Sequence, residues 1–209
     1  MAIADIGKFI RQAVKHIEDV FISDSEERYV KQRSEAKQWL ISIVDNFKEQ
    51  DDKNALDTKI FWAGTFYVFQ YYPKLYEQGK LQWYDAFPLI LVLDNDRNGF
   101  LGINFHYILP QYRMMVIRKL MLTYPKKFIE NKPMLPMNYN LFKQKNKNIW
   151  RWIEPAIKRY LWKQILGYRG LKVLRVNNDQ IVNSIFYTTP EWVGTSESKV
   201  FTEIKRKAV

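Results

Sequence analysis

Three apolar, aromatic-rich stretches separated by short turn-forming segments constrain the fold of this chain more than any other feature. Residues 64–72 (GTFYVFQYY) are dense in aromatic and β-branched residues, which favour strands, and Pro73 ends the run. Residues 88–93 (PLILVL) are apolar throughout, as expected of a central strand that is buried on both faces. Residues 100–107 (FLGINFHY) form the third stretch. We therefore predict a small antiparallel sheet in which the second and third strands form a hairpin.

The loop of that hairpin reads DNDRNG and runs from Asp94 to Gly99. Asp94, Asp96, Asn98 and Gly99 match the opening of an EF-hand calcium loop. Such a loop needs a carboxylate at its twelfth position, which is Phe105 in this chain. Since Asp, Asn and Gly also favour tight turns, we expect a plain hairpin loop without metal.

Helical periodicity accounts for much of the remaining chain. Residues 3–22 and 26–49 carry apolar stripes at helical spacing, and we assign residues 1–55 to an N-terminal helical appendage. Residues 56–209 are then one α+β core domain, built on an antiparallel sheet or a partly open barrel with flanking helices. Within it we predict helices at 110–124, at 149–166 with entry or a kink at Pro155, and at 178–184. We also predict strands at 171–176 and 185–189, irregular structure at 125–147, and a last helix capped by Ser196.

Charge is divided unevenly along the chain. Residues 1–100 hold 13 Lys/Arg and 16 Asp/Glu, a net of −3, whereas residues 101–209 hold 20 and 6, a net of +14. This predicts a polyanionic partner for the second half, with double-stranded DNA as the first candidate and an acidic protein neighbour as the alternative. The candidate DNA-binding cations are Arg113, Arg118, Lys119, Lys126, Lys127, Lys158, Arg159, Lys163, Lys172, Arg175, Lys205, Arg206 and Lys207.

Residues 146–176 interleave these cations with aromatic residues, a pattern typical of nucleic-acid contact. On the predicted helix, Lys158, Arg159 and Lys163 share one side. Another side carries Trp152 with Ile157, Leu161 and Ile165. We interpret the tryptophans as core residues and the cations as partner-binding residues.

Several classes of site are excluded or disfavoured by composition and motif. The chain has no cysteine, which rules out disulfides and thiolate metal sites, and no apolar run long enough for a membrane helix. Hydrolase motifs and a P-loop are absent. Of the two histidines, His106 is expected to be bonded inside the fold, and Asp85 to accept backbone N–H groups at its turn. We therefore expect no enzyme activity, no cofactor, no metal and no membrane partner.

Three segments, GTFYVFQYYPK, WYDAFPLILVL and GFLGINFHYILPQYR, together resemble the core pattern of a group of virion proteins of T-even-type tailed bacteriophages. That group is associated with DNA end protection and head completion. AIKRYLWKQI and EWVGTSESKVF resemble its downstream blocks. The chain departs from the pattern at Gln82 and Trp83, in the Asp-rich loop before Gly99 and around residues 177–192.

The resemblance implies that the shared residues determine the fold and are not catalytic. It also implies a structural virion protein at the head–tail junction that binds and caps the end of the packaged genome. Its partners would be double-stranded DNA and other phage head, neck or tail proteins, in the virion and in the host cytoplasm during assembly. The alternative is a neck, tail or baseplate component that docks on virion proteins without DNA contact. The shared motif residues are Asp85, Phe87, Pro88, Gly99, Gly102, Asn104, His106 and Tyr107.

A nuclease is a weaker third possibility. It would need a cluster of carboxylates around a metal ion. Only Asp85, Asp94 and Asp96 come near that requirement.

Overall fold

The computed structural model describes most of the chain from residue 61 onward. The described residues are 61–124, 126–127, 130, 132, 139–166, 173–181, 189 and 191–208, with Ser34 and Gln38. The predicted helices 3–22 and 26–49 lie outside this part, apart from Ser34 and Gln38, which are helical and exposed. The N-terminal appendage and the domain boundary at residue 56 therefore stay predictions.

A five-stranded antiparallel sheet forms the centre of the fold, in the order β5-β4-β3-β1-β6. It is open within the described residues, so the α+β prediction is confirmed in its sheet form and not as a barrel. A second sheet pairs β2 with β7. The strands are β1 Phe66–Phe69, β2 Tyr84–Asp85, β3 Leu89–Asp96, β4 Gly99–Asn104, β5 Ile157–Leu161, β6 Val173–Val176 and β7 Trp192–Val193.

Strand β3 is central, as its uniformly apolar sequence predicts. Leu89, Leu91 and Leu93 pack into a cluster with apolar residues of the helices on one face of the sheet. Ile90 and Val92 point to the opposite face. Each such side chain contributes about 1.5–3 kcal/mol by burial, so both faces of this strand stabilise the sheet.

Helices cover the first face of the sheet. Helix α2 starts at Pro110, as predicted, because proline fits the first helical turn. The last helix begins after Ser196, whose Oγ accepts from the Lys199 amide at 3.5 Å. No helix among the described residues is both long and apolar enough to cross a membrane. The α-helices whose bounds lie within the described residues are α1 Lys74–Glu77, α2 Pro110–Thr123, α3 Tyr139–Lys145, α4 Trp150–Ile153, α5 Trp162–Leu166, α6 Asn178–Ile181 and α7 Glu197–Ala208.

Aromatic rings cover the opposite face. Phe61 stacks on Phe100 with ring centroids 4.9 Å apart and also contacts Tyr67 at 4.4 Å. Phe100 in turn stacks on Tyr160 of β5 at 5.2 Å. This aromatic cluster joins the edge strand β5 to the middle of the sheet.

The predicted helix at 149–166 is wrong in its centre. Helix α4 gives way to a 3-10 turn at Glu154–Ala156, then to strand β5, and the helix resumes only as α5. The cause is non-local, because β5 pairs with the free edge of β4 from Gly99 to Ile103. Trp152, Ile157, Leu161 and Ile165 therefore do not share a helix face.

Smaller differences concern element ends. The third predicted strand stops at Asn104, and Phe105–Tyr107 form a 3-10 turn. The stretch predicted to be irregular, 125–147, contains helix α3. Of the predicted strand 185–189 only Thr189 is described, and it is not in a strand.

Candidate nucleic-acid interface

A buried carboxylate, Asp85, lies at the junction of the two sheets. Its Oδ1 accepts from the Phe87 amide at 3.1 Å and from the Thr189 hydroxyl. Its Oδ2 accepts from Asn104 Nδ2 at 2.9 Å and lies 2.7 Å from His106 Nδ1. The prediction of a backbone-bonded carboxylate at the turn and of an internally bonded histidine is confirmed.

This network assigns a structural role to four of the eight shared motif residues, Asp85, Phe87, Asn104 and His106. Asn104 Oδ1 also accepts from the His106 amide at 2.9 Å, which caps the 3-10 turn after β4. The four donors occupy both Asp85 oxygens, so this carboxylate is engaged inside the protein. Within the described residues no group of three or more acidic or histidine side chains is placed to hold a metal.

The Asp-rich loop is a tight hairpin turn. Asp96 Oδ1 accepts from the amides of Asn98 and Gly99 at 2.8 and 3.1 Å, and this closes the turn. Asp96 Oδ2 pairs with the Arg159 guanidinium at 2.6 Å. That hydrogen bond lowers the pKa of Asp96 below its usual value. The hairpin prediction is confirmed, and the loop is tied to β5.

Arg113 is a correction to the predicted set of DNA-binding residues. Its side chain is 1 % exposed, and its Nε donates to the Ile108 carbonyl at 2.6 Å. Its Nη2 donates a second hydrogen bond to the His106 carbonyl at 3.5 Å. The arginine that follows the motif therefore holds the start of α2 and is not available to a phosphate.

The cations of 158–163 lie on a strand and a short helix and do not share one helix face. Lys158 is half-buried on β5, and its Nζ lies 4.8 Å from the centroid of the Tyr107 ring. Burial and then the charge of Lys207 lower the pKa of Lys158. Lys158 on β5 and Lys207 at the end of α7, both predicted to bind DNA, are therefore close enough for their charges to interact.

A second group of cations surrounds Tyr124 at the end of α2. Lys127 Nζ lies 5.9 Å and Lys145 Nζ 5.5 Å from the centre of the Tyr124 ring. Lys119 lines the same shallow depression as Tyr124 and Lys145. Here aromatic faces and ammonium groups are interleaved in space, as in proteins that bind nucleic acids. We call Lys119, Tyr124, Lys127 and Lys145 the Tyr124 cluster.

The remaining predicted cations are mainly at the surface. Arg175 is half-buried on β6, and Lys172 lies outside the described residues. Among the predicted cations, Lys126 pairs with Glu130 and Arg159 pairs with Asp96. Six of the predicted cations are in no ion pair between described residues. These six are Lys119, Lys158, Lys163, Lys205, Arg206 and Lys207. The exposed members of the predicted set are Arg118, Lys126, Arg159, Lys163, Lys205, Arg206 and Lys207.

Two further cations near aromatic rings, Lys143 and Lys145, are not in the set of DNA-binding residues predicted from the sequence. They lie on α3, in the segment predicted to be irregular. Lys143 Nζ lies 5.4 Å from the centre of a Trp150 ring. The signal that could have found them is the spacing of Tyr139, Phe142 and Lys143 at one helical turn within a run that lacks acidic residues.

Comparison with known proteins identifies a family but no individual relative. No curated protein and no solved structure matches this chain. The model of one family, described as the phage T4 terminal DNA protecting protein, matches residues 11–203. That match covers most of the chain, including the motif residues, the Tyr124 cluster and β5. The chain belongs to the family of the phage T4 terminal DNA protecting protein.

Proposed function

We propose that this protein caps the ends of packaged double-stranded phage DNA by binding phosphates while its folded body blocks nucleases. The family is named for protection of terminal DNA. The observation that carries the proposal is that six cations, four of them exposed, are in no ion pair between described residues. Unpaired cations at a surface release counterions from DNA when they neutralise phosphates, and this release drives binding.

In this mechanism the protein makes and breaks no covalent bond. Lys205, Arg206 and Lys207 project from the last turn of α7, and the Tyr124 cluster offers a second set of contacts. Phosphate contacts fix a protein on a duplex without reading sequence. Such a protein binds any terminus and excludes exonucleases by occupying it.

The head–tail junction is the site of action that this proposal favours. The resemblance of the chain's motifs to a group of virion proteins associated with head completion supports this placement. A cap there would contact head, neck or tail proteins as well as DNA. Cross-linking of intact virions followed by mass spectrometry tests this placement, and cross-links confined to baseplate proteins would contradict it.

DNA capping is tested with one plasmid in two forms, closed circular and linear. We expect tighter binding to the linear form and protection of its ends from an exonuclease. If four to six cations engage phosphates, affinity falls by about two to three orders of magnitude between 50 and 200 mM salt. Equal affinity for both forms would contradict capping. Absence of binding at 50 mM salt would favour docking on virion proteins without DNA contact.

A further inference from the structure

A cavity of about 440 Å³ opens beside β5, between α1, β2 and α5. Its volume lies within the roughly 300–1,000 Å³ typical of small-molecule sites. The wall is mainly apolar and is dominated by tyrosine rings. These are Tyr71, Tyr84, Tyr107 and Tyr160.

The tyrosines are held in place before any ligand arrives. Tyr71 packs edge-on against Tyr160 at 4.9 Å, and its hydroxyl donates to Gln164 at 3.1 Å. Tyr160 OH accepts from Asn104 at 3.4 Å. Burial raises the pKa of Tyr71 and of Tyr84 to about 12. A tyrosine hydroxyl is neutral at physiological pH with or without such a shift, so these rings give the wall its apolar surface. Tyr107 is already stacked on Trp83 and contacted by Lys158, which leaves Tyr71 and Tyr84 as the rings for a planar group.

Cations line the same cavity. Lys74, Lys158 and Arg159 contribute to its wall. Arg159 pairs with Asp96, whereas Lys158 is in no ion pair between described residues. A half-buried ammonium without a carboxylate beside a tyrosine-lined cavity is suited to an anion attached to an aromatic group.

We infer that this cavity takes the base of the terminal nucleotide of a bound DNA end, with Lys158 on its phosphate. The inference rests on the proposed function for the source of that nucleotide. Stacking on aromatic rings tolerates any base because every base has a π-face. Two polar groups of the wall, Asp85 and Asn104, are engaged with each other and with His106, and the Tyr71 hydroxyl is engaged with Gln164. The cavity therefore holds a base without reading its identity.

The test compares DNA ends that differ only in the terminal base. A linear duplex with intact terminal nucleotides is compared with one whose terminal nucleotides are abasic, and with a closed circle. Loss of one stacked base weakens binding by about tenfold. Leu75, 52 % exposed at the cavity wall, is changed to Trp to fill the opening. Leu122→Trp, at a position 58 % exposed on α2, is the matched control.

The wild type and Leu122→Trp should bind the intact end about tenfold more tightly than the abasic end. Leu75→Trp should bind both ends equally while keeping its affinity for the circle. Thermal melting checks that both variants are folded. If the wild type prefers ends over the circle but treats intact and abasic ends alike, the cavity inference is wrong and capping stands.

A free mononucleotide gives a readout that does not depend on capping. Deoxyadenosine monophosphate should bind the wild type in calorimetry or ligand-observed NMR, and Leu75→Trp and Lys158→Met should weaken this binding. Methionine keeps the aliphatic contact of Lys158 with Tyr107 but removes the charge. If the wild type does not bind millimolar mononucleotide, the cavity inference is wrong. Equal binding of linear and circular DNA would contradict capping, and the mononucleotide result would still decide the cavity inference.

Discussion

The carboxylate of Asp85 lies 2.7 Å from the imidazole of His106, Oδ2 to Nδ1, with side-chain exposures of 2 % and 1 %. Through this contact a two-residue strand of the small sheet is bonded to the 3-10 turn that follows β4. The Thr189 hydroxyl reaches the same carboxylate from the segment before β7. One side chain therefore joins three parts of the chain that are distant in sequence.

Asp85→Asn should lower the free energy of unfolding by about 2–4 kcal/mol, because an amide presents donors to neighbours that are themselves donors. Urea unfolding followed by circular dichroism measures the change. Asp94→Asn, on the exposed side of the hairpin, should stay within about 0.5 kcal/mol of the wild type. A loss below 1 kcal/mol for Asp85→Asn would show that the network contributes little.

Gly99→Ala should also destabilise the fold, for a steric reason. Gly99 pairs with Leu161, and a Cβ at Gly99 would contact the Tyr160 carbonyl oxygen and approach Leu161 Cα to 3.0 Å. Because these atoms are backbone, relief requires β5 to move away from β4. We expect a loss of about 1–3 kcal/mol in the same unfolding experiment.

The matched control for that change is Asn98→Ala, the preceding position in the turn. Its side chain is exposed, and the hydrogen bond that its backbone N–H donates to Asp96 does not depend on the side chain. It should change stability by less than about 0.5 kcal/mol. Equal effects of the two substitutions would contradict close packing of β5 on Gly99.

The hairpin and its flanking helix could be predicted because their signals are local. Residues 88–93 are apolar at each position, DNDRNG is turn-forming, and Pro110 suits a helix start. Strand β5 could not be predicted in this way. IKRYL sits between two helical segments, and only pairing with Gly99–Ile103 makes it a strand.

The candidate site was predictable in charge but not in geometry. The excess of cations after residue 100 is a property of composition, and most of the predicted cations are at the surface. Arg113 looks the same as Arg118 in sequence, yet the structure buries it against the Ile108 carbonyl. The cavity also escaped prediction, since its tyrosines come from four separate places in the chain.

The ion pair between Asp96 and Arg159 should make stability depend on pH in the acidic range. The pKa of Asp96 is lowered in the folded protein, first by the hydrogen bond from Arg159. A depressed carboxyl pKa gives stability that is present above the unfolded value, near 3.8, and is lost as pH falls through the folded value. NMR titration should give Asp96 a pKa below 3.8 in the wild type and nearer 3.8 in Arg159→Ala.

Arg97→Ala is the control for that titration, because Arg97 lies in the same turn but is in no ion pair between described residues. It should leave the pKa of Asp96 low. An Asp96 pKa that is unchanged in Arg159→Ala would mean that the amides of Asn98 and Gly99 alone set it.

Removing Lys205 and Lys207 from the end of α7 should weaken DNA binding in a salt-dependent way. Each cation that neutralises a phosphate contributes about 0.9 to the slope of log affinity against log salt. The double alanine variant should therefore show a slope smaller by up to about 1.8.

The matched control, Lys80→Ala/Arg97→Ala, removes the same charge from exposed positions in the acidic half and should leave the slope unchanged. Fluorescence anisotropy with a labelled linear duplex at several salt concentrations measures both, after thermal melting has shown that both variants are folded. Equal slopes for the two double variants would exclude the end of α7 from the DNA interface and leave the Tyr124 cluster as the stronger candidate, since its lysines lie against an aromatic ring.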